Sequence, residues 1–156
     1  MSELVFTSRL APEHKAELER LLFFNGNQAK VVDGVAHIAR RYGIPRIHTV
    51  DDRLRVVLGG ELELQALYVL DRSGAPIGVM AYTREHDTLM ALFVAIDEEH
   101  TSGGSKGGRM LLVKMLRELQ CIARRVRGVV ALEVFLGRPE PTRITVARLG
   151  AAEQKR

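Results

Sequence analysis

The sequence predicts an α/β (α+β) fold, with a mixed, mainly antiparallel sheet flanked by helices and one glycine-loop-helix crossover. Three observations predict it. Short alternating or apolar runs separated by turn residues fill Arg53 to Ile96. One long amphipathic segment follows the glycine cluster Gly103 to Gly108, and a run that is apolar except for Glu133, Val129 to Leu136, comes directly after it. Tight turns between strands make antiparallel pairs, whereas strand, helix and strand in succession make a parallel crossover.

The elements follow in order. Leu4 to Thr7 can begin a strand, and Pro12 suits a first helical turn ahead of Leu18, Leu21 and Leu22 at helical spacing, so a helix is expected from Pro12 to Phe24. Asn25-Gly26-Asn27 breaks it, and a second helix spans about Ala29 to Tyr42, stopped by Gly43 and Pro45. Arg53 to Asp71 alternates around Gly59-Gly60, which puts Leu62, Leu64, Ala66, Tyr68 and Leu70 on one face of a hairpin. Asp71-Arg72-Ser73-Gly74 turns into a strand from Pro76 to Arg84, and Glu85-His86-Asp87 turns again into Thr88 to Ile96. That last run is apolar on both faces, as a central strand covered on each side should be. A helix then starts at Gly107 or Gly108 and lasts to about Arg127, Gly128 stops it, and Val129 to Leu136 forms the next strand. A short helix, about Pro141 to Leu149, ends at Gly150.

At 156 residues the chain is expected to form one domain over 1–156, large enough to bury a core without disulfides or metal. A hydrophobic fraction of 46% and a charged fraction of 27% are those of ordinary globular proteins, and no apolar run has the length of a membrane span. The start, Met1-Ser2-Glu3-Leu4, lacks the basic and apolar pattern of a secretory signal, and the single Cys121 excludes an intrachain disulfide. A cytoplasmic protein is the expectation.

Charge is unevenly spread. Seven basic residues between Gly103 and Gly128 (Lys106, Arg109, Lys114, Arg117, Arg124, Arg125, Arg127) face one acid, Glu118, so that segment carries +6 and the rest of a chain of net charge +4 carries −2. On a helical wheel Leu111, Leu112, Met115, Leu116, Leu119, Ile122, Ala123 and Val126 fall within an arc of about 140°. The basic residues and Cys121 fall on the other half. The arc reads as core, and the basic half as a solvated face or an anion-attracting one.

The glycine loop reads as a ligand site entered by a buried strand and left by a long helix, with a flexible surface loop as the alternative. Gly103, Gly104, Gly107 and Gly108 allow backbone amides to point into one concavity, and the helix behind them adds unpaired amides and its positive dipole end. Ser105 lies within the loop, and Lys106 and Arg109 bring cations to the same mouth, which suits a pyrophosphate. No Gly-Lys-Ser or Gly-Lys-Thr occurs here, so this is not a P-loop, and the dinucleotide fingerprint is missing too.

With the loop and its helix in view, the chain from about Leu4 to Gly150 resembles the GNAT acyltransferase superfamily. Gly108-Arg109-Met110-Leu111-Leu112 is similar to that family's Gly-Arg-Ala-Leu-Leu ending, Val94 to the valine that ends its splayed strand, and Arg148-Leu149-Gly150 to its closing Lys-Leu-Gly. The resemblance implies acetyl-CoA or a related acyl-CoA as co-substrate. Its pyrophosphate would lie on Gly103 to Arg109, and its pantetheine along Val94 and Ile96, where that strand splays from the next. The departures are equally specific. Gly103 and Lys106 stand where the family's loop pattern has Gln or Arg and its first glycine, and Val146 stands where many members carry the tyrosine that protonates the departing thiolate. Only six residues follow Gly150, too few for the family's last pair of strands.

Glu133 is a carboxylate in an apolar strand, which costs several kcal/mol unless it is paired or used. Beside the acyl group implied by the resemblance, Glu133 is a candidate base for an ammonium acceptor, and a salt-bridged or edge-exposed glutamate is the alternative. Tyr82 is the candidate proton donor in place of the missing tyrosine, or else a core tyrosine with its hydroxyl at the rim. The five histidines have no metal-ligand spacing, so no metal is expected.

These residues point to an N-acyltransferase acting on a small-molecule or protein amine. The second reading is a GNAT-fold CoA- or anion-binding protein without turnover. Nucleic acid ranks last, because aromatics make up only 5% and do not interleave with the basic residues. A homodimer is expected, because the missing final strands would leave apolar strand edges and sheet surface near Val129 to Phe135 for a partner chain to cover.

Overall fold

The computed structural model describes residues 4–23, 39–59, 62–97, 110–136 and 140–146. Its eight strands are β1 (Val5–Thr7), β2 (Pro45–Val50), β3 (Arg53–Leu58), β4 (Leu62–Leu70), β5 (Pro76–Glu85), β6 (Thr88–Ile96), β7 (Ala131–Val134) and β8 (Thr142–Thr145). They form one sheet in the order β2-β3-β4-β5-β6-β7-β8, with β1 beside β4. β4 is long enough to share one edge, taking β3 against Leu62–Leu64 and β1 against Tyr68–Leu70. Every pairing is antiparallel except β6 with β7, the pair bridged by the long helix Leu111–Arg125. The predicted mixed, mainly antiparallel sheet with a helical crossover is therefore the one observed.

Two apolar layers sandwich the sheet. On one face the opening helix, Lys15–Phe23, sets Leu18 and Leu22 against Leu64, Ala66, Tyr68, Val79, Ala81 and Leu92. A one-turn 3-10 segment, Pro12–His14, leads into it, with proline where a missing N–H does no harm. On the other face the long helix buries Leu111, Met115, Leu119 and Ala123, and packs Leu112, Leu116, Ile122 and Val126 against the same cluster. The whole predicted arc thus faces the sheet. The helix comes close because β5 has Gly78 beneath it, where an added Cβ would lie 3.1 Å from the sulfur of Met115.

Four expectations are corrected. The long helix begins at Leu111 and not at Gly107 or Gly108, because Met110 adopts a left-handed conformation (φ 50°, ψ 48°) that a continuous helix cannot include. It ends at Arg125, and Gly128 shapes the following turn with φ 87°. β2 was not foreseen, since only Ile47 of its six residues is buried and the run lacks an apolar face. Residues 142–145, expected to be helical, form β8: Thr142, Ile144 and Thr145 are β-branched and pair antiparallel with β7, from Val134↔Thr142 to Ala131↔Thr145. The edge on which the homodimer expectation rested is thereby covered by the chain's own β8. Of the expected second helix, residues 39–42 are described and are helical.

Candidate functional site

The site begins with a split in the sheet. β6 and β7 pair in parallel only from Thr88↔Ala131 to Ala91↔Val134, and one further bond runs from Phe135 N–H to the Ala91 carbonyl at 3.0 Å. β6 goes on to Ile96 along β5, beyond its last described pair with β7. A β-bulge coincides with the fork: Tyr82 faces Ala91 and Ala81 faces Phe93, which leaves Leu92 as the extra residue. The bulge reverses the side-chain alternation. Leu89 and Ala91 point toward the long helix before it, and Val94 and Ile96 do so after it, while Leu92 and Phe93 both join the opposite layer.

The same reversal orients the backbone. Asp97 N–H donates to the Ile77 carbonyl at 2.8 Å. Alternate residues of a strand turn their backbone groups to the same neighbour, so the amide and carbonyl of Val94 turn away from β5 and into the split. Val94 and Ile96, the two strand residues singled out from sequence, thus both lie beyond the fork and are half-buried.

Glu133 lies just before the fork on β7, beside Met90 in register. Its side chain projects on the face of the opening helix and is 24% exposed, with Arg143 Nη1 donating to Oε2 at 2.9 Å from β8. Sequence reasoning left the choice between base and salt bridge open, and the structure supplies the ion pair. Tyr82 projects on the other face, 5% exposed in the layer under the long helix, and burial raises its phenol pKa. The two candidate catalytic residues are therefore not brought together. Val146 is also in the long-helix layer, 6% exposed, with its N–H bonded to the Val130 carbonyl at 2.9 Å.

Besides the fully buried Tyr68, the phenol on the face of Glu133 is Tyr42, which sequence reasoning missed. Its hydroxyl donates to Glu85 Oε2 at 3.1 Å and lies 3.8 Å from the Met90 sulfur. Arg41 spans the pair, with its guanidinium 5.0 Å above the Tyr42 ring and Nη2 3.2 Å from Glu85 Oε1. Burial first, then the hydrogen bond to Glu85, raises the Tyr42 pKa, and the Glu133 carboxylate adds to the rise through space. Tyr42 immediately precedes Gly43, whose φ of 104° and close approach to Gly59 (a Cβ would lie 2.6 Å from its Cα) fix where the helical turn ends. Glu85 ends β5. Nothing in the local pattern marks either residue, because their partners are remote in sequence.

Gly103, Gly104, Ser105, Lys106, Gly107, Gly108 and Arg109 lie outside the described residues. No described helix is long and apolar enough to cross a membrane.

Among the described strands the sheet is antiparallel except for one parallel pair, β6 with β7, joined by the long helix. No protein-family model matches the chain, and no curated protein matches it. Among solved structures it is similar to the IAA acetyltransferase from Bacillus cereus ATCC 14579, at 17% identity and a TM-score of 0.46 over 85% of this chain and 65% of that one. It is also similar to N-acetylglutamate synthase from Neisseria gonorrhoeae, complexed with coenzyme A and N-acetyl-glutamate, at 13% identity and a TM-score of 0.42 over 86% of this chain and 25% of that one. A third similar structure is nourseothricin acetyltransferase, at 15% identity and a TM-score of 0.45 over 84% of this chain and 72% of that one. The chain spans less than two thirds of the length of the first two.

Proposed function

We propose that this protein is a single-domain, cytoplasmic N-acyltransferase of the GNAT type, which moves an acyl group from acetyl-CoA or a related acyl-CoA to an amine. The observation that carries this reading is the fork between β6 and β7, with a bulge at its base and Glu133 beside it. A pantetheine arm carries amides, and the backbone groups that Val94 turns into the fork can pair with them as a neighbouring strand would. The loop from Gly103 to Arg109 would then hold the pyrophosphate, on the strength of its glycines, Lys106 and Arg109.

In the transfer, the amine nitrogen forms a bond to the thioester carbonyl carbon and the carbon–sulfur bond breaks. An ammonium acceptor first loses one proton to Glu133, which the Arg143 ion pair holds in place. The attacking nitrogen sheds a second proton, and the thiolate sulfur takes one up. Tyr42 stands on the Glu133 face and Tyr82 on the other, so we assign the sulfur-side proton to Tyr42, with Tyr82 as the competing donor.

Calorimetry with acetyl-CoA, followed by an acceptor screen, tests the reading. Binding that Gly108→Val abolishes, together with turnover on an amine, supports it. Binding without turnover on any amine selects the non-catalytic CoA-binding alternative, and no binding rejects both. Tyr42→Phe and Tyr82→Phe, compared for kcat at saturating acetyl-CoA, decide the proton donor.

A further inference from the structure

The outward face of the long helix carries Lys114, Arg117, Arg124 and Arg125, and Arg127 follows in the next turn; all but the half-buried Lys114 are exposed. Positions 114, 117, 121 and 124 recur at helical spacing, so they form one stripe opposite the buried arc. Among the described residues the arginine ion pairs all lie elsewhere: Arg20–Asp97, Arg41–Glu85, Arg55–Glu63 and Arg143–Glu133. Among the described residues none of the stripe's cations has an ion-pair partner, and Glu118 is the helix's one acid.

We propose that this stripe docks an acidic carrier protein, which presents the acyl group on its own phosphopantetheine thiol. The inference rests on the acyltransferase reading and names the donor for it. CoA and a carrier protein share the reacting arm and differ in what lies beyond its phosphate, a nucleotide or a protein. A nucleotide bound near the start of the helix does not reach its far end, because at 1.5 Å per residue Arg124 lies about 20 Å along from Leu111. A carrier surface spans that distance. The helix also ties the stripe to the site: Met115, one residue after Lys114, packs beneath it on Gly78, which pairs with Ile96 at the open end of the fork. Nucleic acid fits the charge but finds no aromatic platform on the stripe.

The test uses the full chain with acetyl-loaded acyl carrier protein and acetyl-CoA as rival donors, and measures carrier binding by fluorescence anisotropy. Arg117→Glu/Arg124→Glu is checked for an unchanged circular dichroism spectrum, and Arg117→Gln/Arg124→Gln serves as a milder second variant. Charge steering predicts binding that weakens with salt and falls about tenfold or more in the Glu variant. The carrier-dependent kcat/KM should fall in parallel, while the acetyl-CoA rate stays within about twofold. A carrier that does not bind at low salt, or binds the variants equally well, overturns the proposal, as does duplex DNA that binds through these residues where the carrier does not. Turnover with acetyl-CoA but not with the carrier also overturns it and leaves the acyltransferase reading intact. Carrier binding with no turnover on either donor would instead remove the enzyme reading and keep the docking surface.

Discussion

The two faces of the sheet are built differently. The layer under the long helix is apolar from Leu67 and Met80 to Leu132 and Val146, and the Tyr82 ring is buried within it. The layer under the opening helix is equally apolar at its centre, but by β7 it ends in Tyr42, Glu85, Glu133 and their arginines. An apolar layer needs only volume and complementarity, whereas charged groups persist where they are paired and partly solvated. One face therefore holds the sheet together, and the other can do chemistry at its border.

Glu133→Gln probes that division most sharply. If Glu133 is the base, acyl transfer at neutral pH should fall by about a hundredfold or more and recover at high pH, where the acceptor amine is already neutral. Stability should change by no more than about 1 kcal/mol, because the Arg143 partner is half exposed. A variant that loses stability and keeps activity would place Glu133 with the structural face.

The converse variant is Leu119→Ala, at a position with no exposed surface under the long helix. It should cost about 2–5 kcal/mol in urea denaturation and leave acetyl-CoA turnover of the folded fraction unchanged. A stability loss below about 1 kcal/mol would mean that this face is less closely packed than its burial indicates.

Tyr68 tests the central part of the opening-helix layer. It is 1% exposed, and burial pushes its pKa up from 10.0 to about 12, against a small opposing pull from Arg55. With the folded pKa above the unfolded one, the folded state holds its proton more tightly, so the contribution is complete below pH 10 and is lost as pH rises toward 12. About 2–3 kcal/mol should disappear over that window. Tyr68→Phe should flatten that limb of the stability curve, and an unchanged limb would show that the phenol is solvated. The smallest effect is expected of Tyr42→Phe, which removes one hydrogen bond to Glu85 and should cost about 0.5–1.5 kcal/mol in thermal unfolding.

Much of this frame was legible beforehand. The arc from Leu111 to Val126 and the alternation of Leu62, Leu64, Ala66, Tyr68 and Leu70 each turned one side to a core, because a helix or strand repeats its geometry from residue to residue. Thr142 to Thr145 misled for the opposite reason. A four-residue segment has little periodicity of its own, and its pairing with β7 made it a strand.

By itself, then, the sequence determined the class of the fold, the order of its main strands, the crossover and the buried side of the long helix, all of which follow from short-range periodicity and turn residues. Tertiary structure alone decided that Tyr82 and Glu133 point to opposite faces, that Tyr42 meets Glu85 across 43 residues of chain, and that Arg143 closes on Glu133. These depend on strand register, which pairs Tyr82 with Ala91 and Glu133 with Met90, neighbours on β6 that face opposite ways, and register leaves no mark in composition or spacing.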